Sequence, residues 1–255
     1  MPNNIVLAKQ FIPILDEVYK FASLTSDLDG APELVREGAN ADEMCIPILD
    51  MSGLGDYSRN SGYVDGDVNL RWETVKCNYD RGRMFSVDNM DNQESANIAF
   101  GRLSGEFIRT KVAPEIDAFR FAKYAGIEGI SKVDAGASLE DGPSAINAIS
   151  TAMMKMDEDE VPAEERYLYI TPTAYRHIKD MDTTKSREVL ADFTKIIKVP
   201  QKRFYTAITL KSGATEEERI GGYVKAEGAK DINFMIIHKP AVIQYPKHIA
   251  PKVID

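Results

Sequence analysis

The sequence predicts an α+β fold in one large domain or two modest ones. A long helical pattern runs from Asp91 to Tyr124, a strand pattern begins near Met44, and strands alternate with helices after Asp141. The chain has 255 residues, of which 44% are hydrophobic, which is enough to bury a sizeable core. The apolar stripe of so long a helix needs a sheet or other helices packed along it.

The stretch from Asp91 to Tyr124 carries apolar residues at the three-to-four spacing of a helix. Asp91 can cap its first N–H groups, and Glu94 can reach back in a capping box. Pro114 lacks an N–H and clashes with the preceding turn, so we predict a kink or a restart there. Gly126 ends the pattern. The part before the proline is ~30 Å long, which is the width of a small domain.

The pattern of residues before this helix indicates an arm followed by an extended hairpin. Residues 6–24 fit a short amphipathic helix, and residues 27–42 predict an extended arm or loop with few core residues. A strand over 45–49 and an alternating strand over 68–79 flank a long, flexible, polar tip at 52–67. An isolated two-stranded ribbon is marginal in water, so it must pack on its own domain or on another copy. The residues leave that choice open.

The second half of the chain predicts an α/β unit. The apolar patterns give these elements: a helix from Asp141 to about Met153, a strand at 167–170, a helix from Pro172 to about Lys179, a helix at 186–198, a strand at 204–210, and a strand at 232–238. The last of these is too apolar for a one-sided strand, so we place it centrally in a sheet.

Composition and motifs exclude several classes of function. The net charge of -9 disfavours bulk nucleic-acid binding, and no apolar run reaches the ~20 residues of a membrane span. The N-terminus lacks the features of a signal peptide, so we expect synthesis in the cytosol with Cys45 and Cys77 reduced. None of the three histidines has metal or nucleophile spacing, and the glycine pairs match no nucleotide-binding loop. We therefore expect no catalytic residues, no metal and no cofactor.

Arg81 and Arg83 flank a glycine, which resembles a phosphate-contacting turn. In so acidic a protein, arginines that form ion pairs across strands or subunits are the favoured interpretation. The alternative is a cytosolic enzyme with Arg81, Arg83 and His177 around a pocket. That alternative predicts a small defined oligomer and a ligand-dependent rise in melting temperature.

Several runs, in the same order along the chain, resemble the major capsid proteins of tailed bacteriophages. They are distributed over most of the length of the chain: Ile48 to Arg59, Trp72 to Thr74, Asp80 to Asp91, Gly105 to Arg120, Val199 to Tyr205, and Asp231 to His238. The resemblance implies the capsid fold that tailed phages share with encapsulins and the herpesvirus capsid floor. It implies four parts: an N-terminal arm (1–43), an extended β-hairpin loop (44–87), a peripheral domain with a spine helix (88–132 and 230–255), and an axial domain (133–229).

The resemblance also implies a function. Such a chain would self-assemble as pentamers and hexamers into the icosahedral head that encloses the phage genome. Its implied partners are other copies of itself, a portal protein at one vertex, and packaged double-stranded DNA without sequence-specific contact, with no membrane. The implied location is the virion, after synthesis in the bacterial cytoplasm. An encapsulin-like compartment, which stores an enzyme instead of a genome, is the alternative.

Two departures from the family refine this expectation. The arm leaves no room for a cleaved scaffold segment, so we expect a separate scaffolding protein or a chain that has already been processed. Lys76 is the only lysine of the hairpin and lies away from its tip, so we predict no covalent cross-linking of subunits. The resemblance makes these residues candidates for contacts between subunits: Asp56, Tyr57, Arg59, Tyr63, Trp72, Glu73, Arg81, Arg83, Arg102, Glu106 and Arg109.

Overall fold

A computed structural model of the chain contains both helices and strands, which confirms the α+β class. It describes residues 22–30, 36–37, 43–60, 62–85, 105–133, 136–181 and 183–244. The chain divides into two compact units. We call residues 30–86 the ribbon unit, and residues 1–29 with 87–255 the core unit. The predicted boundaries between arm, loop, peripheral domain and axial domain stay predictions.

The ribbon unit is an antiparallel sheet of order β1-β2-β3. Its strands are β1 (Arg36–Glu37), β2 (Glu43–Met51) and β3 (Val68–Lys76). β2 and β3 pair one residue to one along their whole length, from Glu43 opposite Lys76 to Met51 opposite Val68. The predicted hairpin is therefore confirmed, although β3 stops three residues short of Tyr79.

The first described helix of the core unit contains a wide turn beside Pro114. Residues 105–107 are α-helical, Ile108–Val112 form a π-helical turn, and α1 spans Ala113–Ala125. The predicted kink or restart at Pro114 takes the form of this change in helix type: α1 begins at Ala113 with Pro114 in its first turn, and the chain stays helical through it. A π-turn holds one more residue than an α-turn, and such turns are a known way to accommodate irregularities within a helix. The predicted start at Asp91 lies outside the described residues.

The rest of the core unit contains three further helices and five strands among the described residues. They are α2 (Gly142–Glu158), β4 (Arg166–Ile170), α3 (Pro172–Met181), α4 (Thr184–Ala191), β5 (Lys195–Lys198), β6 (Ile208–Leu210), β7 (Tyr223–Lys225) and β8 (Phe234–His238). The Asp141 side chain accepts the Ser144 N–H at 2.9 Å, which caps α2 at the position where the sequence predicted the helix to begin. Gly142 is required next to it, because a Cβ there would lie 2.6 Å from the His177 carbonyl oxygen.

Two sequence predictions for this region are wrong. The helix predicted over 186–198 ends at Ala191, and Lys195–Lys198 forms β5, since its two isoleucines pair in parallel with β4. The strand predicted at 204–210 is shortened to β6, because 201–203 form a 3₁₀ turn that leads into buried Phe204.

A three-stranded sheet of order β5-β4-β8 lies at the centre of the core unit. β4 runs parallel to β5 and antiparallel to β8, so β4 is the central strand and β8 lies at an edge among the described strands. The prediction of a central strand at 232–238 is therefore wrong. Side chains alternate across β4: Leu168 and Ile170 pack with α2 and α3, whereas Tyr167 and Tyr169 pack on the α1 side.

Candidate interaction surface

One face of the ribbon is apolar over most of its length. Directly opposite residues of an antiparallel pair lie on the same side of a sheet. The register therefore places five cross-strand pairs on one side. The charged pair Glu43 with Lys76 lies at one end of it, and the other four pairs form what we call the apolar face: Met51 with Val68, Leu49 with Leu70, Pro47 with Trp72, and Cys45 with Thr74. Leu49, Met51 and Leu70 are 53%, 68% and 58% exposed, so the ribbon leaves this face open to solvent.

The opposite face of the ribbon is mixed. The same register gives it these pairs: Asp50 with Asn69, Ile48 with Arg71, Ile46 with Glu73, and Met44 with Val75. Arg71 Nε lies 3.7 Å from Asp50 Oδ2, in an exposed ion pair between the two strands. Of the predicted contact residues, Trp72 therefore lies on the apolar face and Glu73 on the mixed face.

The tip of the ribbon contains local hydrogen bonds and a pair of aromatic rings. The Ser52 N–H donates to the Asp67 carbonyl at 3.0 Å, which closes the base of the loop. Nearer the apex, the Ser58 and Gly62 backbones exchange hydrogen bonds of 3.1 and 2.8 Å. Beside this bridge, the rings of Tyr57 and Tyr63 lie 5.0 Å apart between centroids. The tip therefore contains a small backbone bridge with a paired aromatic flank, and its predicted flexibility stays a prediction.

The tip presents apolar and charged groups together. Tyr57 and Tyr63 remain largely exposed although they pack on each other, and the Leu54 side chain is fully exposed. Asp56 and Arg59 are exposed beside them. Tyrosine supplies a large contact area at a small cost in conformational entropy, so a preformed tyrosine pair is a suitable element for recognition of a protein surface. Four predicted contact residues are thus gathered at one end of the ribbon.

The remaining predicted contact residues lie elsewhere. Arg81 and Arg83 are exposed in the segment after β3, which has no regular secondary structure. Glu106 and Arg109 form an exposed ion pair one turn apart, with Arg109 Nε donating to Glu106 Oε2 at 3.1 Å. These hydrogen bonds lower the pKa of Glu106 and raise the pKa of Arg109. Arg102 lies outside the described residues.

A buried carboxylate in the core unit holds the segment that leads into the ribbon unit. Asp117 on α1 is fully buried. It accepts hydrogen bonds from the hydroxyls of Ser23 and Thr25, both at 2.8 Å, and from the N–H of Leu24 at 3.0 Å. Arg203 Nη1 donates to Asp117 Oδ2 at 3.2 Å. The carboxylate therefore compensates its burial with a full set of donors.

The same segment contributes to the hydrophobic core. Arg120 Nη1 donates to Thr25 Oγ1 at 2.8 Å, and Arg120 Nη2 lies 3.2 Å from Asp29 Oδ1. Between these residues, Leu28 is completely buried against the cluster that contains Phe121. The sequence predicted an extended arm or loop with few core residues over 27–42, and that prediction is wrong at Leu28, which ends a 3₁₀ turn and belongs to the core.

The sequence predicted aromatic and charged contact residues and named no aliphatic ones. Leu49, Met51 and Leu70 are ordinary strand residues when each is considered alone. The register between the two strands places all three on one face. Nothing in the sequence near Asp117 pointed to its role, because Ser23, Leu24 and Thr25 lie more than 90 positions earlier and Arg203 lies 86 positions later.

Two kinds of site are absent from the part of the chain that the structure describes. No cluster of three or more histidine, cysteine, aspartate or glutamate side chains could hold a metal ion there. Within those same residues, no helix has the length and hydropathy needed to cross a membrane.

Comparison with known proteins identifies no family for this chain. No protein-family model and no curated protein sequence match it. Among solved structures, it is similar to a chain in the capsid structure of the cyanophage P-SCSP1u, with 15% sequence identity and a TM-score of 0.35. The match covers 66% of this chain and 61% of that chain, so this chain spans less than two thirds of its length. A likeness at this level decides neither the fold nor the function.

Proposed function

We propose that this protein is a structural subunit of a tailed-phage head. In this proposal, copies assemble as pentamers and hexamers into an icosahedral shell around double-stranded DNA, with a portal protein at one vertex and a separate scaffolding protein. The chain would be made in the bacterial cytoplasm and reside in the virion, and it would not be an enzyme. The support comes from the capsid-like runs of the sequence and from the form of the ribbon unit.

The apolar face of the ribbon is the observation that carries the proposal. Its four cross-strand pairs present leucine, methionine, valine and tryptophan side chains that the ribbon itself leaves exposed. Covering one such side chain is worth about 1.5–3 kcal/mol. Contiguous exposed apolar patches rimmed by polar groups mark interaction sites on soluble proteins. A neighbouring subunit is the partner that a closed shell supplies at every position.

The charge of the chain suits this role. The net charge is -9. A predominantly acidic inner wall would not bind the phosphates of packaged DNA tightly, so the DNA could move as it is loaded. Contact with DNA would then be weak and independent of sequence.

The proposal is tested by a matched pair of substitutions on β3. Leu70→Asp places a charge on the apolar face, whereas Asn69→Asp adds the same charge to the mixed face one residue away. The purified variants would be examined by negative-stain electron microscopy and light scattering, alone and with any co-encoded scaffolding protein. We expect shells, tubes or five- and six-fold rings from the native chain and from Asn69→Asp, and none from Leu70→Asp.

Removal of residues 52–67 should also abolish assembly. A monodisperse monomer or dimer from the native chain under all of these conditions, with the scaffolding protein present, would overturn the proposal. Shells that contain a co-purified enzyme and no DNA would instead indicate an encapsulin-like compartment.

A further inference from the structure

The outer edge of the ribbon sheet has the form of a pairing site. Among the described strands, β3 has β2 on one side and no strand on the other. All nine of its residues are exposed, none is a proline, and its one-to-one pairing with β2 contains no bulge. Proteins usually protect edge strands with prolines, bulges or very short length, because an open edge readily pairs with another strand. β3 has none of these three protections.

The sequence of β3 is complementary to itself in one antiparallel register. When two copies pair about a twofold axis through Trp72, all nine residues overlap, and Val68 of each copy faces Lys76 of the other. Arg71 then lies opposite Glu73 of the partner subunit, and the second copy repeats the same pair. Opposite charges directly across an antiparallel ladder are stabilising. Leu70 lies opposite Thr74 of the partner subunit on the other face.

Neighbouring registers lose this complementarity. An axis through Arg71 would place the two copies of that residue opposite each other, and an axis through Glu73 would do the same with two carboxylates. A slip of one residue would join the apolar face of one copy to the mixed face of the other. The register about Trp72 is the one that retains full overlap and opposite charges and keeps the apolar face of both copies on one side, with Lys76 at the outer ends of the paired strands.

We propose that two copies of this chain pair through β3, edge to edge, in a symmetric homodimer. The two ribbons form one sheet in the order β1-β2-β3-β3-β2-β1, with both apolar faces on the same side. The partner is a second copy because the charge pattern of β3 matches itself. The interface is isologous, so each contact occurs twice. This dimer does not depend on the shell, because it uses the strand edge and the mixed face and leaves the apolar face uncovered.

Charge exchange at the two central positions tests the pairing. Sedimentation velocity over a range of concentrations at low ionic strength separates monomer, dimer and larger species of the full chain. Arg71→Glu places two carboxylates opposite each other at two symmetric positions, so we expect the dimer dissociation constant to rise about tenfold or more. Glu73→Arg should raise the dissociation constant similarly, because it places two arginines opposite each other at the same positions. The double variant R71E/E73R recreates both pairs and should restore dimerisation to within about threefold of the native chain.

The Arg71 variants also lose the ion pair with Asp50, so the double variant is the decisive one. If R71E/E73R dimerises no better than either single variant, the proposed register is wrong. A native chain that stays monomeric at every concentration and forms no dimer on the way to larger species overturns the proposal. Shells without dimers would refute this inference alone, and dimers without shells would refute only the proposed function.

A cysteine scan provides independent evidence. In a Cys45→Ser, Cys77→Ser background, Trp72→Cys places the two new thiols opposite each other on the axis. Mild oxidation should give a covalent dimer. Asn69→Cys is the matched control, since its two copies would lie six positions apart along the ladder, about 20 Å. Equal cross-linking of both variants would contradict the register.

Discussion

Strands β3 and β4 use apolar side chains in opposite ways. Every residue of β4 is buried, whereas every residue of β3 is exposed. Leu168 in β4 is 0% exposed and packs against α2 and α3, but Leu70 in β3 is 58% exposed. The core unit therefore buries its central strand among its own side chains, whereas the ribbon unit leaves β3 exposed to solvent. The proposed assembly depends on this difference, because the apolar side chains of β3 are the ones that a neighbouring subunit would cover.

Replacing the leucine of each strand by alanine should give the largest difference in the free energy of unfolding. Leu168→Ala removes three buried carbons and leaves a cavity, so it should lower the free energy of unfolding by about 2–5 kcal/mol. Leu70→Ala should change it by less than about 0.5 kcal/mol, because the side chain is already hydrated. Urea denaturation monitored by circular dichroism measures both values.

Assembly should show the reverse order. Leu70→Ala weakens the contact that covers the apolar face, so fewer shells should form, whereas folded Leu168→Ala protein retains that face. A large loss of monomer stability from Leu70→Ala would contradict the contrast between the two strands, since it would mean that the core unit already depends on this face.

A second prediction concerns the buried carboxylate. Asp117→Asn removes the charge that pairs with Arg203 and turns an acceptor into a donor facing other donors. Stability should fall by about 2–4 kcal/mol. Asp180→Asn is the control, because Asp180 forms an exposed pair with Arg176 and should cost less than about 0.5 kcal/mol.

Limited proteolysis distinguishes the local from the global effect of Asp117→Asn. Loss of the hydrogen bonds to the Asp117 carboxylate should release residues 22–29 first, so cleavage there should precede cleavage in β4. Equal protection of the segment in the variant and in the native chain would show that Leu28 alone holds it in place.

The smallest effect is expected at a buried hydroxyl. Tyr169 is fully buried, and its hydroxyl has no hydrogen-bond partner within the described ranges. Tyr169→Phe removes a polar group from an apolar site, so stability at neutral pH should change by less than about 1 kcal/mol, or rise slightly. Chemical denaturation at pH 7 checks this value.

The pH dependence of the same variant sharpens the test. Burial raises the pKa of Tyr169 above its ordinary value. Above about pH 10 the unfolded chain releases this proton while the folded chain retains it, so native stability should fall as the pH rises, by up to about 1.4 kcal/mol per pH unit. Tyr169→Phe should remove that part of the alkaline loss. Identical slopes for the two proteins above pH 10 would show that the hydroxyl ionises freely in the folded state.

Local patterns in the sequence predicted the ribbon strands, the start of α2 at Asp141 and the β4 strand, because each depends on neighbouring residues. Contacts between distant segments were not accessible. Ile196 and Ile197 of β5 also fit the spacing of the helix predicted over 186–198, and only pairing with β4 makes them a strand. The position of β8 at an edge likewise depends on which strand β4 joins on its other side.

The same division holds for the candidate surface. Tyr57, Tyr63 and Trp72 could be named from residue type and from the resemblance to capsid proteins. The apolar face required the register between β2 and β3, which alternation within one strand does not specify. The contact between Tyr57 and Tyr63 was not accessible either, because it crosses a turn rich in glycine and serine, a composition that is typical of flexible loops.

The π-helical turn at Ile108–Val112 has a consequence for comparing this chain with relatives. One extra residue in a turn rotates everything after it by about 100° relative to a regular helix. A sequence that lacked that residue would need a one-residue gap here, or Asp117 and Arg120 would be aligned with positions on the wrong side of the helix. An alignment without gaps through this helix would therefore pair Asp117 and Arg120 with the wrong residues of a relative, even where both proteins form the same buried hydrogen bonds.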